Sequence, residues 1–208
     1  MSSSPWQSRL PDPGAALAAY REGAVTVLAS DPLRPGSACL LAALETLQPE
    51  TLSRLRGFAH GLISVLLPEH QRYGVRLFLS GADCAITETR GPELSGTTPC
   101  LDDALALCSF LRGLAYTPAG AEHEAAAFGS PFVTLSGAGT LNWPDSERVV
   151  SALAARLDLV DAALICSLHD ARGRCIHGDE VIEFAATHGL PLLYPDDADH
   201  DVRLIAAG

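Results

Sequence analysis

The stretch of this chain with the most chemistry per residue runs from Gly137 to Val150, reading Gly-Ala-Gly-Thr-Leu-Asn-Trp-Pro-Asp-Ser-Glu-Arg-Val-Val. Small residues end a strand, Asn142–Pro144 turn, and an amphipathic helix begins. The first turn of a helix has unpaired backbone N–H groups that point outward, so polar groups collected there serve either capping or a ligand. Asp145 or Ser146 suits the cap, with Pro144 just before or at the start. Glu147 has two readings: an acid–base residue at the rim of a pocket, or a carboxylate placed to complement the helix dipole. Trp143 either walls an apolar pocket or covers the core, and Asn142 stands at the turn that leads into both.

Other polar groups lie further off in sequence. Arg34 and Asp31 are the only charges of the loop Ser30-Asp-Pro-Leu-Arg-Pro-Gly-Ser37, whose prolines and glycine exclude regular structure. Such a loop either faces a pocket, with Arg34 touching a ligand, or is solvated surface. His60 stands at a helix end, where a histidine either complements the dipole or serves catalysis. His123 and Glu124 precede the Phe132 strand and join the candidates. Cys39 lies just past the loop with no group nearby to lower its thiol pKa. The acidic end Asp196, Asp197, Asp199, Asp201 lacks the glycine and bidentate glutamate of a calcium loop and reads as solvated.

Composition removes whole classes of chemistry. All fourteen basic residues are arginine, which excludes a lysine Schiff base, an internal pyridoxal-phosphate linkage and a Gly-Lys-Ser/Thr phosphate loop. The net charge of −11 argues against nucleic acid and anionic membrane as partners, because both demand basic patches. Six cysteines without a Cys-x-x-Cys pair read as buried free thiols of a cytoplasmic protein. The N-terminus has no apolar signal region, and the apolar tract 149–168 is broken by Arg156, Asp158 and Asp161.

The elements that must hold these residues follow from local pattern. Residues 1–11 read as a loose tail and 12–208 as one domain, a size that 48% hydrophobic content can fill. Helices are expected at 14–22 after Asp12-Pro13, 49–60, 99–111 capped by Thr98 and closed by Gly113, from the opening stretch to about Leu157, and 179–188 ended by Gly189. A short terminal helix starts at Pro195. Strands are expected at 24–29, 38–44, 62–67, 75–79, 131–135, 162–166 and 190–194, with 117–124 a loop or helical turn and 169–173 a turn. Val149, Val150, Leu153 and Leu157 should face inward. The irregular alternation, with some strands joined by short loops, predicts an α/β (α+β) mixed central sheet flanked by helices.

The C-terminal third resembles a known family. Ala162-Ala-Leu-Ile-Cys-Ser-Leu-His-Asp-Ala-Arg-Gly173 and Glu180-Val-Ile-Glu-Phe-Ala-Ala-Thr-His-Gly-Leu190 are similar to the end of 3,4-dihydroxy-2-butanone 4-phosphate synthase, with its Val-Leu-Cys strand, acidic turn and Glu-Phe-Ala helix. Tyr20-Arg-Glu-Gly with Val25–Leu28, and His60-Gly61 with the following strand, resemble its first helix and strand and its His-Gly-Ser-Gly-Ile strand. The resemblance implies that family's fold, a homodimer with sites near the subunit interface, and an ancestry in the conversion of ribulose 5-phosphate to dihydroxybutanone phosphate and formate. That reaction uses a divalent ion, usually magnesium, and several carboxylates.

The family's working motifs are mostly replaced. Its acidic loop Arg-Glu-Asn-Glu-Gly-Asp corresponds to Leu33-Arg-Pro-Gly-Ser-Ala38, without a carboxylate. Its Arg-Gly-Gly-His-Thr-Glu corresponds to Asn142-Trp-Pro-Asp-Ser-Glu147, so arginine has become Asn142, the metal-binding histidine Asp145 and threonine Ser146, while Glu147 remains. Gly-His is Gly129-Ser130, and the aspartate of its Ser-Ala-Ala-Asp-Arg falls at Asp103, followed by Ala104. A phosphate dianion at this helix start would meet Asp145 and Glu147, with like-charge repulsion on the order of 1 kcal/mol in water. A lone Asp145 rarely holds magnesium without help from substrate, so no cofactor is expected. The expectation is a repurposed enzyme of lyase or isomerase type in specialised biosynthesis, acting on a small non-phosphorylated substrate. Glu147 and Asp145 would be catalytic; Arg34, Asp31, Asn142, Trp143, Ser146, Thr98, Asp103 and His60 would line the site. The alternative is a non-catalytic homologue that binds a small ligand or a partner subunit.

Overall fold

A computed structural model of the chain describes residues 12–29, 38–58, 63–67, 76–77, 100–101, 104–116, 122–123, 127–128, 133–136, 146–170, 172 and 174–195. Helix α1 (Pro13–Arg21) starts where Asp12 accepts from the Gly14 N–H at 3.0 Å. The chain then turns at Gly23, whose φ of +87° and whose missing Cβ, which would lie 2.2 Å from the Thr46 carbonyl oxygen, both demand glycine. Strands β1 (Thr26–Leu28) and β2 (Cys39–Ala43) follow, then α2 (Pro49–Phe58), β3 (Ile63–Leu66), β4 (Arg76–Leu77) and β5 (Cys100–Leu101). Next come α3 (Ala104–Ala115), β6 (Glu122–His123), β7 (Ala127–Phe128), β8 (Val133–Ser136) and α4 (Ser146–Leu157). Strand β9 (Ala163–Ser167), α5 (Asp179–His188) and β10 (Leu192–Leu193) complete the described elements.

Six strands form one mixed sheet in the order β10-β1-β2-β9-β3-β8. The four central strands pair antiparallel, while β10 joins β1 and β8 joins β3 in parallel. The mixed sheet expected from the sequence is therefore present. Two small parallel pairs, β4 with β6 and β5 with β7, stand apart from it.

Both faces of the sheet are covered, which is why its strands read as continuous apolar runs rather than alternating ones. On one face Val27, Leu40, Ala42, Val65, Leu164 and Cys166 pack with Leu52 and Leu55 of α2, Leu107 and Leu111 of α3, and Val181 and Ala185 of α5. On the other, Leu28, Cys39, Leu41, Leu66, Ala163 and Ile165 meet Ala16, Leu17 and Tyr20 of α1 and Val149, Val150 and Leu153 of α4. Successive side chains of a strand point to opposite faces, so each strand divides its residues between these two cores. The result is three layers, helix–sheet–helix.

Several sequence expectations need correction. The helix expected at 99–111 runs instead from Ala104 to Ala115, because Cys100-Leu101 is drawn into pairing with Ala127-Phe128. Thr98 is thus too far upstream to be its cap, and Gly113 sits inside the helix, where a Cβ would meet open space. The loop or helical turn expected at 117–124 includes a short strand, Glu122-His123, paired with Arg76-Leu77. Leu157, as expected of an inward position, packs against the second core, though it is only half-buried. Of the described free cysteines, Cys39, Cys108 and Cys166 are buried as expected, but Cys175 is exposed. Residues 1–11 and 196–208, and with them the expected tail and most of the terminal helix, lie outside the described residues.

Candidate active site

Helix α4 carries Ser146 and Glu147 at its first two positions. Where that end lies is decided at the other end of the helix. Asp158 adopts a left-handed φ of 56°, and the Leu159 N–H donates to the Ala154 carbonyl at 2.9 Å, so the helix closes with a chain reversal. The returning segment is pinned twice. Ser151 Oγ donates to Asp161 Oδ2 at 2.7 Å, and the Val160 N–H donates to Glu45 Oε2 at 2.7 Å. Strand β9 then runs back antiparallel to α4, which packs on the sheet through Val149, Val150 and Leu153. The first turn of α4, with Glu147, therefore lies toward the end of the sheet where β9 finishes.

The antiparallel register brings other chain segments to that same end. Ser167, the last residue of β9, pairs with Cys39, and Cys39 pairs with Leu28 at the close of β1. Ala29 and Ala38, which flank the proline-rich loop of Asp31 and Arg34, are both there. Strand β3 begins there too, since Ile63 pairs with Cys166. The ends that flank the segments of Arg34 and of His60 thus converge on one edge with the start of α4. The topology supplies the reason: antiparallel central strands send alternate connections to the same end.

Of the residues singled out in the sequence, Glu147 and Ser146 have a described backbone, in the first turn of α4. Asp145, Asn142, Trp143, Arg34, Asp31, Thr98, Asp103 and His60 lie outside the described residues. His123 belongs to β6, in a two-stranded pair that is not part of the main sheet, and Glu124 lies outside the described residues.

The sequence reading places a turn at 169–173 but gives its residues no part in the site. Leu168 donates its N–H to the Ala38 carbonyl at 3.2 Å and accepts from the Ile176 N–H at 3.3 Å, and His169 bridges antiparallel to Cys175. Leu168 and Ile176 turn to the α2/α3/α5 face. By alternation Ser167 and His169 take the α1/α4 face, the face of Glu147's helix. The hairpin is locked at its tip by Asp170. Its Oδ1 accepts from the N–H groups of Arg172 at 2.8 Å and Arg174 at 2.9 Å, and its Oδ2 from Arg174 Nε at 2.8 Å. These bonds to the charged form, the Arg174 backbone N–H foremost, hold the Asp170 carboxyl down at about 2. The signal that a hairpin follows β9 was present in the Asp-Ala-Arg-Gly run, but the orientation of His169 needed the register.

Thiol chemistry is disfavoured at this end of the sheet. Burial, and then the nearby Cys166, push the Cys39 thiol far above its ordinary range, and burial raises Cys166 to about 11. The buried Tyr20 phenol is likewise raised, by burial first and then by the charge of Asp161. These groups stay neutral and act as core. Among the described residues no group of three or more His, Cys, Asp or Glu is placed to hold a metal ion, and no magnesium cage is assembled from them. Nor is any helix among them long and apolar enough to cross a membrane.

The arrangement of strands and helices has close counterparts in solved structures. The 3,4-dihydroxy-2-butanone 4-phosphate synthase of Candida albicans superposes with a TM-score of 0.61 at 19% identity, over 93% of this chain and 98% of that one. The fold is that of 3,4-dihydroxy-2-butanone 4-phosphate synthase. A dihydroxybutanone-phosphate synthase solved in complex with two magnesium ions matches at a TM-score of 0.58 and 20% identity, over 93% of this chain and 97% of that one. A two-domain synthase from A. baumannii matches at a TM-score of 0.59 and 18% identity, over 91% of this chain but 57% of that one. The sequence itself matches no family model and no curated protein. The synthase fold has thus been kept at an identity low enough that its chemistry need not have been.

Proposed function

We propose that this chain uses the synthase fold as an acid–base enzyme of lyase or isomerase type, acting on a small molecule that carries no phosphate, with Glu147 as the proton-transfer residue. One observation carries the reading: Glu147 stands in the first turn of α4, at the end of the sheet on which the end of β1, the start of β2 and the end of β9 converge. A carboxylate there takes a proton from a substrate carbon or hydroxyl and returns it to the product, with Asp145 two positions before it in sequence. The absence of the family's arginine, replaced by Asn142, and the presence of Asp145 argue against a dianionic phosphate at this helix start. Magnesium is assigned no step, and a homodimer is the assembly expected from the resemblance.

Two measurements test this together. Ribulose 5-phosphate with magnesium is expected to release no formate above background; rapid formate release would overturn the reading of the replaced motifs. Glu147→Gln is expected to lower whatever turnover is found by about a hundredfold or more with the melting curve unchanged. Full turnover by that variant would leave Glu147 with a purely electrostatic role at the helix start.

A further inference from the structure

A buried histidine nitrogen marks the same end of the sheet. The His169 ring is half-buried, and its Nδ1 is buried without any hydrogen-bond partner. Nε2 is not among the buried unpaired atoms of the described residues, and His169 as a whole keeps part of its surface, so Nε2 is the nitrogen left to solvent or a ligand. A neutral imidazole carries one proton on one of its two nitrogens. A buried, unpaired N–H is among the rarest states of a polar group, whereas a bare lone pair is better tolerated. The packing therefore assigns the proton to Nε2. His169 consequently offers a fixed N–H donor on the α1/α4 face, at the end of β9, where the first turn of α4 holds Glu147.

A carboxylate base and a neutral imidazole donor form a known division of labour for enolisation. The base removes the proton next to a carbonyl, and the imidazole N–H stabilises the charge that develops on the oxygen. We propose that His169 is the hydrogen-bond donor for the carbonyl oxygen of a small, uncharged hydroxyketone whose neighbouring carbon is deprotonated by Glu147. The inference rests on the function proposed above. The step balances within the substrate: the C–H bond breaks, its electron pair forms the enediolate, the proton goes to Glu147, and its return to either carbon restores a ketone or an aldehyde. His169 keeps its own proton throughout.

Dihydroxyacetone, the simplest such ketone, is the probe. In D2O the full chain is expected to exchange its carbon-bound protons for deuterium faster than buffer alone, read by proton NMR. Glu147→Gln should remove the acceleration, and His169→Ala should lower it about a hundredfold. His169→Gln, which keeps an N–H donor, should recover part of the loss, and the effect should fall on kcat rather than KM. Long-range proton–nitrogen NMR of the unmodified chain should show the Nε2–H tautomer, with the Nε2 signal moving on addition of dihydroxyacetone. Exchange that needs Glu147 but is untouched in His169→Ala would overturn this inference and leave the proposed function standing, as would an Nδ1–H tautomer, a measurement that needs no variant to fold. No acceleration by the unmodified chain would overturn both.

Discussion

At the scale of single residues, the hairpin after β9 shows how one side chain fixes the setting of another. Asp170 accepts two backbone N–H groups and the Arg174 side chain, and the result is a closed turn that fixes His169 opposite Cys175. The sign of its pH dependence follows from the lowered carboxyl. In the unfolded chain an aspartate titrates near 3.9, roughly, and in the folded one Asp170 titrates at about 2. Its contribution is therefore fully present above the unfolded value and is lost as pH falls through about 2. A carboxyl titration followed by NMR should give a midpoint near the lower figure. Asp170→Asn should speed amide exchange at Arg172 and Arg174 at neutral pH. An Asp170 midpoint at the ordinary value would mean that the turn is held by something else.

Among the elements, α4 deserves the next experiment because both its ends are informative. Its C-terminal closure needs a left-handed residue, and the sequence supplies Asp158 instead of glycine. An L-residue in that conformation costs roughly 1–2 kcal/mol, less for aspartate, and a carboxylate at a helix C-terminus is also opposed by the dipole. Asp158→Gly is expected to stabilise the fold by about 1 kcal/mol, raising the melting temperature by roughly 2–4 °C for a chain of this size. Turnover should not change, since the first turn of α4 is at the far end. A loss of stability would show that the Asp158 side chain makes a contribution larger than its backbone strain.

Legibility also varied by element, and for identifiable reasons. Where a stop or start signal and the apolar period agreed, the sequence located the element: Asp12 does cap α1, and Gly189, at φ +58°, does end α5. The exception was α3. Thr98-Pro99 imitates a helix start and Gly113 a stop, yet the buried set Leu107, Cys108, Leu111, Leu114 and Ala115 is one continuous helical face that passes straight through the glycine. That face is present in the sequence and outweighs Gly113, since glycine in a helix costs only about 1 kcal/mol. The strand pairing that claims Cys100-Leu101 was not visible, because it joins residues far apart in sequence. The same limit applied to the candidate site. Glu147 was legible as a carboxylate in a helix's first turn, whereas the place of His169 depends on the register of β2 with β9.

For the molecule as a whole, the decisive property is that a single strand serves two cores. Strand β2 shows this most sharply: Leu40 and Leu41 are neighbours, both fully buried, yet they belong to opposite faces. In a sheet with one face to water, one of two adjacent residues would be solvated and its truncation nearly harmless. Here the helices α2, α3 and α5 stand over Leu40, and α1 with α4 stands over Leu41. Leu40→Ala and Leu41→Ala are each expected to cost roughly 2–5 kcal/mol in urea unfolding, the range for a buried leucine that leaves a cavity. The comparison bears on function as well, because the α1/α4 layer is the one that carries Glu147 and faces His169. If Leu41→Ala cost under about 1 kcal/mol while Leu40→Ala cost the full amount, α1 and α4 would not be packed on the sheet. Glu147 would then have no fixed relation to the end of β9, and the case for a site there would fall with it.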